Sequence, residues 1–170
     1  MRKQVLIIIF TLLLTIECKL YDPEIDGVST RKIRAAGEIV SLQSSRARIV
    51  SAHGERMNNK FMTDPEMTEA FRFLAAAENT NNMWRLVCEN DEWSITSIGM
   101  LLGIVFTDLE DIEIDVCDAW DLVQEEYSVD SFSNWSLFQP LVPEVERPFF
   151  RFATETGSFD VDAITSEIIQ

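Results

Sequence analysis

Between residues 111 and 116 the chain reads Asp-Ile-Glu-Ile-Asp-Val, so that Ile112, Ile114 and Val116 alternate with Asp111, Glu113 and Asp115. A two-residue period is that of a β-strand, and the segment predicts a strand with one apolar and one acidic face. Such a strand belongs in a sheet that is covered on one side and wet on the other, the usual condition of antiparallel sheets.

Other segments read the same way. Met83 to Cys88 and Trp93 to Ser97 are predicted strands around the polar link Glu89-Asn90-Asp91-Glu92, and Arg147 to Thr154 with Ser158 to Ile164, hinged at Gly157, form a final hairpin. Glu38 to Leu42 and Arg46 to Ser51 suit another hairpin around Gln43-Ser44-Ser45. A helix is predicted from Pro65 to about Glu78: Asp64 caps it, Pro65 fits its first position, and Met67, Ala70, Phe71, Leu74 and Ala77 share a face. Asp118 caps a second, short helix that carries Trp120, Val123 and Tyr127 on one side. Gly99 to Phe106 is a buried strand or short helix, and Pro140 and Pro143 mark a loop. The expected class is α+β, a mainly antiparallel sheet with one or two helices in a single domain. The sequence shows no internal repeat and no low-complexity tract.

The chain has 170 residues, of which 46% are hydrophobic, enough for one core and too many for a disordered chain. Its charge is unevenly spread. From Lys19 to Arg85 ten basic residues face nine acidic ones, whereas from Leu86 to Gln170 only Arg147 and Arg151 face nineteen acids. The whole chain carries a formal charge of -15, which excludes phosphate-backbone binding as a main activity, because that affinity rests on Lys and Arg. A charged partner is therefore expected to be a cationic protein or peptide, bound on an acidic face centred on Asp111, Glu113 and Asp115.

Arg2 and Lys3 precede an apolar run from Val5 to Ile16, followed by the polar Glu17 and Lys19. This layout predicts a signal peptide over residues 1–18, and the run is too short for the roughly 20 residues that span a bilayer. The expectation is a secreted protein with no membrane contact after cleavage, a flexible leader or pro-segment over 19–34 and one globular domain over 35–170. Cleavage removes Cys18 and leaves Cys88 and Cys117, which in an oxidising compartment predicts one disulfide. Asn134-Trp135-Ser136 is a sequon, so Asn134 is a candidate glycosylation site.

The chemistry is mostly exclusion. An EF-hand starting at Asp108 needs Gly at its sixth place, where Glu113 stands, and strand carboxylates two residues apart are ~6.6 Å from each other, too far to share an ion. With one His and two cysteines expected to be bridged, a zinc site lacks ligands, and no Walker or dinucleotide loop occurs, so no metal or cofactor is expected. His53 is the one base available to a His-dependent triad, but no nucleophile-elbow motif accompanies it. Two-carboxylate hydrolysis, as in glycosidases, needs only a suitably spaced pair and stays open as an alternative.

Arg31-Lys32-Ile33-Arg34 presents Arg-x-x-Arg, the minimal shape cut by secretory-pathway endoproteases, with Arg31 and Arg34 as the processing residues. The same four residues resemble the Arg-x-Leu-Arg translocation motif of oomycete effectors, with Ile33 in place of Leu and the acidic motif that follows reduced to Glu55-Arg56. That resemblance implies a host-directed secreted effector. The leading expectation is a non-enzymatic binding protein.

Overall fold

The computed structural model describes residues 27–77, 82–99, 112–139 and 147–169. The first element of the described residues is helix α1 (Val28–Ser41), whose Ile33, Ala36 and Val40 recur at three and four residues and are buried. A meander follows: β1 (Ala47–Glu55), β2 (Ala70–Ala77), β3 (Met83–Glu89) and β4 (Glu92–Ile98). Then the pattern starts again with helix α2 (Val116–Tyr127) and strands β5 (Asn134–Phe138), β6 (Phe149–Ala153), β7 (Ser158–Asp162) and β8 (Ile168–Ile169).

Among the described residues eight strands form one antiparallel sheet in the order β4-β3-β2-β1-β5-β6-β7-β8. The fold is thus α+β with a mainly antiparallel sheet. Each half is a helix followed by a four-strand meander, and the first strands of the two halves pair antiparallel at the middle of the sheet. No sequence repeat accompanies this repeat of topology. His53 opposite Ser136 is the central pair of the five that join β1 to β5.

Along each strand alternate residues enter the core, which lies between the sheet and the two helices. Ala52 pairs with Phe73 and Leu137, and Gly54 with Phe71 and Trp135; these side chains are buried with Trp120, Phe150 and Phe152. At Gly54 the lack of a side chain is required, since a Cβ there would lie 2.3 Å from the Trp135 ring. The opposite face of the sheet carries Arg72, His53, Ser136, Arg151 and Asp160 in one cross-strand row.

Several expected elements differ. The segment 112–115 is not a strand: Ile112 and Ile114 do pack on the core, but Asp115 also turns inward and is 3% exposed, capping a helix that starts at Val116. The predicted helix from Pro65 stops after one 3-10 turn, Pro65–Met67, and the residues that follow are β2. Phe71, Phe73, Ala75 and Ala77 also fit a period of two, and the availability of β1 and β3 as partners on both sides decides the ambiguity. Glu38 to Ser41 end α1 rather than forming a strand, because Val40 completes the buried stripe of Ile33 and Ala36. Part of the expected leader, from residue 28 on, is therefore helix packed on the core. The expected hairpins at 83–98 and 149–162 are present. Residues 1–26, including the expected signal peptide, and the segment containing most of Gly99 to Phe106 lie outside the described residues.

Candidate functional site

On α2 the sequence sorts residues by helical period. Val116, Ala119, Trp120 and Val123 are buried, while Asp118, Asp121, Glu125 and Glu126 are exposed. Burying the first set against β6 and β7 forces the second set into water as a continuous acidic stripe.

The start of α2 is tied to the start of α1 by Asp115. Its carboxylate accepts from the Cys117 amide at 3.2 Å, the Ser29 hydroxyl at 2.5 Å, and the Thr30 amide and hydroxyl at 3.0 and 2.9 Å. Asp118 completes a capping box by accepting from the Asp115 amide at 3.2 Å. The approach of the two helices is close: a Cβ on Gly27 would lie 1.9 Å from the Asp115 carboxyl carbon. Asp115 is therefore a structural carboxylate, corrected from the expected binding face. Glu113 is exposed and its amide donates to Ala163 at 2.9 Å, while Asp111 lies outside the described residues.

Beside the first turns of α2 lies a small cleft of about 150 Å³, walled by Asp64, Pro65 and Glu66 on one side and by Cys117, Trp120 and Asp121 on the other. Two hydrogen bonds position these walls. Asp64 accepts from the Glu66 amide at 2.8 Å, which shapes the 3-10 turn, and the Trp120 indole donates to the Thr63 carbonyl at 3.0 Å, which fastens that turn to the helix. None of the lining residues is basic. Burial, and then the nearby carboxylates of Asp118, Asp64 and Glu125, push the Asp121 carboxyl above its ordinary range. The Cys117 thiol is pushed up to about 12 by burial, by the charges of Asp115 and Asp64, by its hydrogen bond with Asp115 and by the charge of Glu66. At neutral pH it stays protonated and is a poor nucleophile.

The expected bridge between Cys88 and Cys117 is replaced by two free thiols. Cys88 faces the core from β3, under the Lys32 amine of α1 at 3.6 Å, whereas Cys117 faces the cleft; the two side chains serve different surroundings. Arg31 and Arg34 are exposed on α1 with the buried Ile33 between them, so a protease must unwind that turn to bind it extended. Asn134 is half-buried at the start of β5, an inner strand, and its amide donates to the Ser133 hydroxyl at 3.0 Å.

Sequence reasoning missed the cleft because it assigned Asp64 and Glu66 to the first turn of a long helix. The acidic stripe was legible in the three- and four-residue spacing of Asp118, Asp121 and Glu125. Among the described residues no cluster of His, Cys, Asp and Glu is disposed to hold a metal ion, and no helix is long and apolar enough to cross a membrane. Comparison with known proteins finds no matching family model, curated protein or solved structure.

Proposed function

We propose that this is a secreted binding protein that holds a cationic protein or peptide on the acidic face of α2, with one Lys or Arg side chain of the partner seated in the cleft between Asp64, Glu66 and Asp121. The observation that carries this reading is the crowding at Asp121: carboxylates converge there with no basic residue among the cleft's lining, and burial together with their repulsion, which a partner's cation would relieve, raises the Asp121 carboxyl above its ordinary range. A volume of about 150 Å³ suits one side chain better than a drug-sized ligand, whose pockets run to roughly 300–1,000 Å³. Charge of one sign over a whole helix face also speeds encounter with a partner of the opposite sign.

The test is a fluorescence titration with a Lys- and Arg-rich peptide, repeated from low to physiological ionic strength. Binding that weakens with salt, and weakens about tenfold in the double variant Asp64→Asn/Asp121→Asn, supports the proposal; that loss corresponds to about 1.4 kcal/mol. Binding that ignores both salt and the substitutions sinks it. A second reading, a carboxylate-dependent hydrolase, draws on the same raised Asp121 facing two other acids across a concavity. It requires turnover of a chromogenic glycoside that is lost in Asp121→Asn. The host-directed reading of Arg31 and Arg34 is separate, and unaltered delivery after Arg31→Ala/Arg34→Ala retires it.

A further inference from the structure

The middle of the sheet holds a second constellation, on the face opposite the helices and independent of the acidic cleft. His53 on β1 and Ser136 on β5 are Cα partners, and their side chains meet: His53 Nδ1 lies 2.9 Å from Ser136 Oγ. The other ring nitrogen, Nε2, lies 3.5 Å from Glu55 Oε2. Glu55 is two residues along β1 on the same face, and its second oxygen is paired with Arg72, the Cα partner of His53 on β2. A serine hydroxyl, an imidazole and a carboxylate thus stand in line, the carboxylate held in place by a guanidinium.

We propose that Ser136, His53 and Glu55 form a nucleophilic site that hydrolyses carboxylic esters, with Ser136 as nucleophile, His53 as general base and Glu55 as the residue that positions the imidazole. The arrangement satisfies what such chemistry demands, a nucleophile within hydrogen-bond reach of a base that a third group orients. Its nitrogens are used in the reverse sense of the serine-protease triad, with serine on Nδ1 and carboxylate on Nε2. In the tautomer that carries its proton on Nε2, beside Glu55, Nδ1 is the acceptor for the Ser136 proton. The site is reachable: the His53 side chain is 32% exposed and that of Glu55 25%.

Ser136 Oγ attacks the acyl carbon as its proton passes to His53 Nδ1, and the carbonyl π electrons move onto oxygen. Collapse of that intermediate breaks the bond to the alkoxy oxygen, which leaves with the proton from Nδ1 as an alcohol. Water then attacks the acyl-serine ester, again giving its proton to Nδ1, and the carboxylic acid departs as Oγ recovers a proton. The ladder between β1 and β5 commits the backbone amides there, so the developing oxyanion would draw on the guanidinium groups of Arg72 and Arg151, which flank His53 and Ser136 in the cross-strand row and are each 44% exposed at the side chain. Arg151 is the Cα partner of Ser136 and is fixed by two 2.7 Å bonds to Asp160. The adjoining row holds Leu74, Ser51, Phe138 and Phe149, an apolar border suited to a short acyl chain.

The full chain is to be treated with a fluorophosphonate probe and mapped by peptide mass, alongside hydrolysis of p-nitrophenyl acetate and butyrate. The expected results are an adduct on Ser136 and a rate that falls at least about 100-fold in Ser136→Ala and in His53→Gln. Glu55→Gln should lower kcat at least about tenfold with KM little changed, because the imidazole loses the group that orients it. An adduct absent from Ser136 in folded protein, or hydrolysis indifferent to His53→Gln, overturns the assignment. Ser136→Cys guards against a variant that fails to fold: the introduced thiol should alkylate at least tenfold faster with His53 present than with His53→Gln, and equal rates also overturn it.

Discussion

The two halves of the molecule solve one topological problem with different materials. In the first, the strands run to nine, eight, seven and seven residues, and small residues such as Ala47, Ala52, Ala75 and Ala77 face the core beside Phe71 and Phe73. In the second they shrink to five, five, five and two, and the core is filled by Trp120, Phe132, Trp135, Phe150 and Phe152. Large aromatic side chains bury enough area that short strands suffice. The helices differ in sign at the same place in each half: α1 exposes Arg31 and Arg34, whereas α2 exposes Asp118, Asp121, Glu125 and Glu126. A core needs only volume and periodicity, so the outward positions of a repeated scaffold are free to take whatever charge binding requires.

Substitution should cost most at the seam where the two halves of the sheet meet. Trp135 is fully buried over Gly54, lies edge-on to Phe71 and Phe150, and donates from its indole to the Thr68 hydroxyl at 3.0 Å. Trp135→Ala should cost about 3–5 kcal/mol in urea unfolding, and Gly54→Ala should also destabilise by displacing that ring. A loss below about 1 kcal/mol for Trp135→Ala would mean that the seam does not hold the halves together.

Next in size is the tie between the helices. Asp115→Ala removes a carboxylate that accepts from three residues and should cost about 2–4 kcal/mol, against under about 1 kcal/mol for Asp118→Ala on the exposed side of the same cap. Equal losses at the two sites would deny Asp115 its bridging role.

Smaller effects sharpen the contrast in charge. Because the Asp121 pKa is raised in the folded state, the folded protein keeps a proton that the unfolded chain has released over the interval just above the ordinary carboxylate range. Stability should therefore fall as pH rises through that interval, and Asp121→Asn should flatten the slope. An unchanged slope in the variant would show that Asp121 is not the crowded group. The smallest expected signal is chemical: without reductant, native protein should take up alkylating agent slowly at Cys117 and not at Cys88, which is 1% exposed, and both should label once unfolded. Failure of both to label in denaturant without reductant would restore the disulfide.

Local pattern in the sequence was enough for the α+β class, for the β3–β4 and β6–β7 hairpins and for a helix carrying Trp120 and Val123, because these depend on residues within a few positions of one another. It was also enough for the acidic character of the second half. Three things were left to tertiary structure. The run from Ala70 to Ala77 fits both helical and strand periods, and only β1 and β3 on either side make it a strand. Asp115 looks like a surface acid until Ser29 and Thr30, more than eighty positions away, supply donors that make its burial affordable. His53 and Ser136 are 83 residues apart, and no catalytic motif holds either; they meet because two meanders that share no visible repeat pair at their first strands. Short-range periodicity determines which way a residue faces, while long-range pairing determines what it faces.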